Sequence, residues 1–404
     1  MRLRPPTFLG RIAQIALVTA ICLAALWGGL VVFERSILKR IGGFQPDAPG
    51  HDVAATERTI RTLDLYPWTG WHVQHEFRHR GTMPWESQPY NDYDVATGRL
   101  GFFDHDVLAP PDKAQCERRV VLIGGSGAQG WGARSNADTL ARRLEFHLGA
   151  APENAGLTAT VVNLAMGASI GYQNFIALNR FGHALKPDVI VSYSGRNDYI
   201  VPEMNGNDGF YQFNQLLALS RVVRRNENSG LVEWLSSAFP RLMERTGLGA
   251  GLRMTNEYGR LTREAPAEYA ARFGFERMSA SEFLDQVVLA NYVHALKSIR
   301  RDHAGVPIAI AWQAVQRWET DLSRFAKEVE PDFYERLFAR ARAALEGYGE
   351  GDWRFVDAHG HMKGFAEENT GTHLGNAGQD RVARLIAGEI LPWIERSRGT
   401  CKRS

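Results

Sequence analysis

The stretch VVLIGGSGAQG, residues 120–130, decides how the rest of the chain is interpreted. Its first four residues are valine, leucine and isoleucine, a composition typical of a buried strand, and glycines then surround Ser126. A serine at the carboxyl end of a buried strand, in a turn that no large side chain crowds, is how α/β proteins expose a nucleophile. Ser126 is therefore a candidate nucleophile, provided that other segments supply partners for its hydroxyl.

Two other patterns compete for the same stretch. Residues 125–130 match the dinucleotide-binding pattern G-x-G-x-x-G, which also needs a helix at the last glycine and a carboxylate at the end of the second strand. Here residues 131–136 prolong the loop, and the second predicted strand offers Asn163 but no acid. The G-x-S-x-G turn of α/β-hydrolases fails because Ala128 replaces the closing glycine. No cofactor is predicted.

Strand-like and helix-like segments alternate from Val120 onward, which predicts a parallel sheet with helices on both faces. An insert at about 200–280 interrupts the alternation, and it is interpreted either as a lid that also rests on lipid headgroups or as solvated helices packed on the domain. The strands are predicted at 120–123, 160–165, 189–194, 306–312 and 354–356, and the helices at 138–148, 174–185, 282–303, 322–347 and 379–395.

Three further polar segments lie where predicted strands end or the last helix begins. Gly167 follows the second strand, Asn197 follows the third, and His373 precedes the last helix. The carboxyl ends of parallel strands meet at one edge of a sheet, so these residues are expected near Ser126. A backbone N–H at Gly167 and the amide of Asn197 can donate to an oxyanion, and an imidazole can take the serine proton. The set predicts an acyl-transfer site.

In this order, Ser126, Gly167, Asn197 and His373 resemble the four sequence blocks of the SGNH, or GDSL-like, hydrolases. The resemblance covers residues 118–395 apart from the insert. It implies a flavodoxin-like three-layer sandwich with a five-stranded parallel sheet. It also implies that the serine is the nucleophile, that the glycine and asparagine are oxyanion-hole donors, and that the histidine is the general base.

The chain departs from the family pattern at two positions. Gly125 stands where the family has an aspartate, and Thr370 stands where an aspartate three residues before the histidine usually orients the imidazole. The candidates to replace that acid are Asp357 at the end of the last predicted strand, Glu367 or Glu368, and a backbone carbonyl. The favoured interpretation is a Ser-His dyad with Asp357 nearby.

The amino-terminal region predicts a membrane anchor. Residues 12–33 form an apolar run whose only polar members are Gln14 and Thr19, long enough at about 1.5 Å per residue to cross a bilayer core of roughly 30 Å. Arginines within residues 1–11 favour a cytoplasmic amino terminus, and no small-residue cleavage site follows the run. We expect an uncleaved signal anchor in a bacterial inner membrane, with the catalytic domain in the periplasm.

Residues 34–115 are expected to form a juxtamembrane linker and an extended arm, and the hydrolase domain is expected to span residues 116–404. The arm resembles the segment that precedes the first block in envelope members of the family. Cys116 and Cys401 border the hydrolase domain, at the sheet edge opposite the site. They are interpreted either as a disulfide, which an oxidising compartment permits, or as two unrelated surface thiols.

Composition sets the remaining expectations. The 404 residues have a formal net charge of +2 and no basic cluster with interleaved aromatics, so no nucleic-acid partner is predicted. No metal is predicted either. Trp131 and Trp312 lie beside predicted site loops, where they would either stack on a sugar or belong to the core.

The function expected from these observations is that of a membrane-anchored extracytoplasmic serine esterase. Its substrate would be an acetyl or short O-acyl ester on an envelope glycan. One alternative is an O-acyltransferase that uses the same site, and the other is an inactive scaffold or ligand-binding module of an envelope assembly.

Overall fold

The computed structural model describes most of the predicted hydrolase domain and parts of the arm. The described residues are Gly28, 63–66, 70–73, 78–81, 93–98, 102–103, 112–154, 156–205, 277–316, 320–321, 323–349, 351–365, 373–396 and Cys401. Apart from Gly28, they belong to one compact unit, Arg58–Leu217 with Glu264–Ser404.

Several predictions fall outside the described residues. They include the membrane anchor apart from Gly28, most of the linker, and the insert between 206 and 276. Within the part of the chain that the structure describes, no helix combines the length and apolar character needed to cross a bilayer.

The described strands and helices are numbered in chain order. The strands are β1 (Leu63–Tyr66), β2 (Gly70–Val73), β3 (Arg78–Gly81), β4 (Tyr93–Ala96), β5 (Glu117–Gly124), β6 (Thr158–Asn163), β7 (Val189–Ser194), β8 (Ile308–Trp312) and β9 (Trp353–Val356). The helices are α1 (Ser126–Gln129), α2 (Leu140–Ala150), α3 (Gly171–Ala177), α4 (His183–Leu185), α5 (Arg196–Asn205), α6 (Ala280–Phe283), α7 (Ala290–Asp302), α8 (Arg324–Glu328), α9 (Phe333–Leu345), α10 (Ala358–Met362) and α11 (Asn376–Arg396).

The central sheet has five parallel strands in the order β6-β5-β7-β8-β9. Strands β5, β7 and β8 are buried along their whole length, as expected for parallel strands covered on both faces. In order of sequence the arrangement is 2-1-3-4-5, which is the flavodoxin-like order. The predicted five-stranded parallel sheet is confirmed.

Helices cover both faces of this sheet, so the domain has three layers. Along β5, Val121 and Ile123 belong to a core shared with α3, α7 and α9. The alternate residues Val120 and Leu122 belong to a second core shared with α2 and α11. This alternation follows from the two-residue period of a strand, which sends successive side chains to opposite faces.

Three predicted helices differ from the observed ones. The predicted helix at 174–185 begins at Gly171 and passes through a π-helical turn, Leu178–Gly182, between α3 and α4. The predicted helix at 322–347 is divided into α8 and α9, and Pro331, which has no N–H for a helical hydrogen bond, lies between them. The predicted helix at 282–303 begins earlier, since Ser279 and Glu282 form a capping box at the start of α6. A π-helical turn, Leu284–Leu289, then joins α6 to α7.

A disulfide joins the two ends of the hydrolase domain. Cys116 directly precedes β5 and Cys401 follows α11, and their Cα atoms are 5.7 Å apart, a usual separation for bonded cysteines. Of the two interpretations left open by the sequence, the structure contains the bonded one. The bond lies where β5 begins, at the sheet edge opposite the carboxyl ends of the strands.

The disulfide predicts how the thiols react in protein purified without reducing agent from its native cells. Alkylation under denaturing, non-reducing conditions should label Cys22 and leave Cys116 and Cys401 unlabelled, as measured by peptide mass spectrometry. Replacing either bonded cysteine with serine should lower the free energy of unfolding by about 2–4 kcal/mol, because the unfolded chain loses its constraint. The double variant should lose no more than one single variant. Free thiols at both positions would contradict the bond.

Candidate active site

Ser126 lies at the turn between β5 and the short helix α1, at the carboxyl edge of the sheet. Gly125 is the amino-terminal cap of α1, and Ser126 is its first residue. The N–H of a first-turn residue has no intrahelical acceptor, so the backbone N–H of Ser126 is not used within α1. The turn thus presents both a hydroxyl and a backbone donor at one position.

His373 reaches Ser126 from the other end of the domain. It lies just before α11, and its Nε2 is 2.8 Å from the Ser126 Oγ, although the two residues are 247 positions apart. At this separation the imidazole nitrogen can accept the hydroxyl proton when Nε2 is unprotonated. The structure therefore brings together the predicted nucleophile and the predicted base.

Asn197 lies in the first turn of α5, immediately beyond the end of β7. Its Nδ2 donates to the Ser169 carbonyl at 3.0 Å, and its Oδ1 accepts from an Arg196 guanidinium nitrogen at 3.4 Å. A methyl group built on Gly125 would lie 2.2 Å from Nδ2, so the amide approaches the backbone that precedes Ser126 closely. The contact explains why glycine occupies position 125, where the resembling family has a larger residue.

Gly167 lies in the turn after β6, on the same edge. A backbone hydrogen bond of 3.1 Å from the Met166 N–H to the Gly124 carbonyl fastens this turn to the end of β5. The next residue, Ala168, has a φ of 57°, a left-handed conformation that is uncommon for a residue with a side chain. Such conformations cluster at functional sites, which agrees with the predicted role of this turn.

Asp198 is a site residue that the sequence reasoning missed. Its carboxylate is only 5% exposed and accepts hydrogen bonds from the Gly171 N–H at 2.7 Å and the Gly195 N–H at 3.1 Å. Burial raises its pKa to about 6, and the two backbone donors partly offset that effect. Asp198 thus ties the loop after β6 to the loop after β7, beside Asn197. The signal that could have revealed it was an acid adjoining the block asparagine.

Asp357 has a structural contact of its own at the end of β9. Its Oδ1 accepts a 2.7 Å hydrogen bond from the Gly360 N–H and so caps α10, a position that aspartate favours. The suggested role of Asp357 near the imidazole stays a prediction. The alternatives Glu367 and Glu368, and Thr370, lie outside the described residues.

The two tryptophans flagged from the sequence have different environments. Trp312 is 1% exposed and packs 4.8 Å from the Tyr334 ring, so it belongs to the core. Trp131 is partly exposed, with its ring centroid 5.9 Å from that of His373. Among the described residues, no group of three or more His, Cys, Asp and Glu side chains is arranged to hold a metal ion.

Comparison with known proteins finds similarity only among solved structures. No protein-family model and no curated protein match the chain. A lipase/acylhydrolase from Enterococcus faecalis is 13% identical with a TM-score of 0.38, over 71% of this chain and 98% of that one. A putative GDSL-like lipase from Parabacteroides merdae is 13% identical with a TM-score of 0.38, over 70% and 99%. A mutant acetyl-xylooligosaccharide esterase from Geobacillus is 15% identical with a TM-score of 0.37, over 68% and 94%.

These TM-scores, all below 0.5, describe distant likeness in fold, and the chemistry of the chain is given by its own site. The sheet order and the Ser126–His373 contact agree with the SGNH, or GDSL-like, hydrolases that the sequence blocks resemble. The structure is consistent with a serine ester hydrolase.

The close approach at Gly125 predicts the effect of one added methyl group. Gly125→Ala should displace the Asn197 amide and lower kcat for p-nitrophenyl acetate by about 10- to 100-fold, less than the roughly 100- to 1000-fold expected for complete loss of an oxyanion donor. Gly149→Ala is the matched control, because Gly149 lies in α2 with no atom within 4 Å of an added methyl. Equal activity of Gly125→Ala and the wild type would show that the amide position is unimportant.

The raised pKa of Asp198 predicts a pH dependence of stability. Between about pH 4 and pH 6 the unfolded chain loses this proton while the folded chain keeps it, so the free energy of unfolding falls as pH rises and levels off above about 6. This difference between the folded and unfolded pKa lowers the free energy of unfolding by about 3 kcal/mol across that range. Asp198→Asn cannot titrate there, so urea unfolding at pH 4–7 should show the wild type losing stability relative to this variant. Parallel stability curves would refute the assignment.

Proposed function

We propose that this protein is a serine esterase of the SGNH type that hydrolyses an acetyl or short O-acyl ester. The single observation that supports this proposal most strongly is the 2.8 Å contact between the Ser126 Oγ and the His373 Nε2. A serine hydroxyl within hydrogen-bond reach of an imidazole is the arrangement that activates serine as a nucleophile in acyl transfer.

In the proposed mechanism, Ser126 attacks the ester carbonyl carbon while its proton passes to the His373 Nε2. The carbonyl oxygen becomes an oxyanion, which accepts hydrogen bonds from the Ser126 N–H, the Gly167 N–H and the Asn197 Nδ2. Collapse of this intermediate breaks the ester C–O bond, and the imidazolium returns its proton to the leaving alkoxide. Water, deprotonated by His373, then attacks the acyl-serine, and the carboxylic acid and free serine are released.

Asn197 acts in this mechanism through one N–H of its side-chain amide. One of its two amide hydrogens goes to the Ser169 carbonyl, and the other is left for the oxyanion. The Oδ1 accepts from the Arg196 guanidinium at 3.4 Å, so both ends of the amide have a protein partner. The orientation of the amide is therefore set before substrate binds, which is the property that makes electrostatic stabilisation effective.

The location and substrate class form the finer part of the proposal. The apolar run at 12–33 supports an anchored protein, and the Cys116–Cys401 bond supports an oxidising compartment such as the periplasm. A glycan ester of the cell envelope is the acyl substrate that such a location would offer.

A fluorophosphonate probe tests the class of the protein. The wild type should be labelled at Ser126, and Ser126→Ala should not be labelled at all. His373→Ala should be labelled at least 100-fold more slowly, because it removes the general base. Asp357→Ala should react within about threefold of the wild type, since Asp357 caps α10. A loss as large as that of His373→Ala would instead identify Asp357 as the acid of a triad.

Failure of the wild type to react would favour the inactive scaffold over an enzyme. For a protein that reacts, incubation of an acyl donor with and without an oligosaccharide acceptor separates hydrolysis from transfer. Free acid as the sole product supports the esterase, whereas an acylated oligosaccharide formed by the wild type and not by Ser126→Ala would identify an O-acyltransferase with the same residues.

A further inference from the structure

We infer that the amino-terminal arm, through strand β4 and Trp131, positions His373 against Ser126, so that the arm is part of the catalytic apparatus. This inference rests on the proposed function. It concerns the segment 131–136, which follows α1 and is here called the clasp loop. The clasp loop contacts the His373 segment on one side and the arm on the other.

On the first side, polar contacts fasten the clasp loop to the residues that follow His373. The Gln379 Nε2 donates to the Leu374 carbonyl at 3.1 Å and to the Trp131 carbonyl at 3.4 Å. The Arg134 N–H donates to the Asn376 Oδ1 at 2.9 Å. These bonds join the loop after the nucleophile directly to the start of α11, on which the base depends for its position.

The backbone at Gly132 shows how close this approach is. Gly132 has a φ of 91°, and a methyl group built on it would lie 2.6 Å from the Leu374 carbonyl oxygen and 3.1 Å from the His373 Cβ. Only glycine combines this left-handed conformation with such a contact at low cost. The clasp loop therefore packs directly against the backbone of His373 and Leu374.

Trp131 adds a side-chain contact to this backbone wall. Its ring centroid is 5.9 Å from the imidazole centroid, with the two planes tilted by 37°. The indole Nε1 donates to the Gln129 Oε1 at 2.7 Å. Because Gln129 is the last residue of α1 and Ser126 is the first, the indole is oriented by the same short helix that presents the nucleophile. Trp131 thus links the orientation of the base to that of the serine.

On the second side, strand β4 of the arm is bonded along the clasp loop. The Asp94 N–H donates to the Arg134 carbonyl at 2.9 Å. The Asn136 side chain bonds both backbone groups of Ala96, accepting from its N–H and donating to its carbonyl, each at 2.8 Å. The Asn136 amide thus pairs with the N–H and the carbonyl of Ala96 as a neighbouring strand would, and it continues the pairing of β4 with the clasp loop beyond Asp94.

Apolar packing reinforces these bonds at Trp131. Tyr93 and Val95 of β4, together with Phe103, form a small buried cluster against which Trp131 packs. The arm therefore packs against the same indole that lies beside the imidazole. Removal of the arm's support would let the indole and the clasp loop move by fractions of an ångström, which is enough to weaken a 2.8 Å proton-transfer contact.

Trp131 and Asn136 act in this account through His373, so they are positioning residues. Their loss is expected to slow the chemical step and to leave substrate binding nearly unchanged. A general loss of structure would instead reduce the amount of folded protein and its melting temperature together. The kcat-against-KM split therefore separates the two explanations.

The test uses the full chain, solubilised in detergent, with p-nitrophenyl acetate and the fluorophosphonate probe. Asn136→Ala should lower kcat and the labelling rate about tenfold, with KM and the melting temperature close to those of the wild type. The matched control is Arg78→Ala, which removes an exposed 3.3 Å ion pair with Asp94 on the same hairpin and does not touch the clasp loop. Exposed pairs of this kind stabilise little, so the control should keep wild-type activity.

A second pair of variants decides the matter if Asn136→Ala does not fold. Trp131→Phe keeps a ring beside the imidazole and should retain most of the activity, whereas Trp131→Ala should lose tenfold or more in kcat. Wild-type rates for Asn136→Ala or for Trp131→Ala in folded protein would overturn the positioning role while leaving the esterase intact. A wild type that fails to label at Ser126 would instead overturn the proposed function itself.

Discussion

The hydrogen bond between Ser126 and His373 is the contact on which the site depends. It joins the first turn after β5 to the last turn before α11, so it forms only when the whole sheet and its covering helices are in place. Neither residue is held by its own element alone: α1 is a single turn, and His373 precedes a helix. The 2.8 Å separation of the Ser126 Oγ and the His373 Nε2 is therefore a property of the tertiary structure. The neighbouring loops hold the two residues at this distance.

Buried backbone N–H groups and the Asp198 carboxylate hold the loops of the site together. The turn after β6 is bonded to the end of β5 through the Met166 N–H, and Asp198 bonds the loops after β6 and β7 to each other. The Asp198 carboxylate loses contact with water in this position, which costs free energy and raises its pKa. The cost is offset locally by two backbone hydrogen bonds, which fix the loop that presents Asn197. Polar groups in the turns after β5, β6 and β7 therefore form hydrogen bonds with one another in place of hydrogen bonds with water.

Much of this arrangement was accessible from the sequence, because it follows from short-range patterns. The apolar runs of β5, β7 and β8 predict buried parallel strands, and the ends of such strands must meet at one edge, so Ser126, Gly167 and Asn197 could be placed together. That Asp357 caps α10 could not be derived in this way, because a residue at the end of a strand can turn toward the site or cap the next helix, and only tertiary packing decides which. The contacts of Asp198 and of the clasp loop with β4 were missed for a related reason. Each joins a side chain to backbone groups of another segment, and the sequence does not show which backbone groups a side chain will meet.

The Cys116–Cys401 bond gives the domain a mechanical property that its sheet alone would lack. The bond connects residues 285 positions apart, directly at the two ends of the hydrolase domain. Tension applied between a point before Cys116 and a point after Cys401 would pass through the sulfur atoms and bypass everything between them. The disulfide closes residues 116–401 into a covalent ring. A force applied to the chain before Cys116 and after Cys401 therefore does not pull β5 away from α11 and does not separate Ser126 from His373.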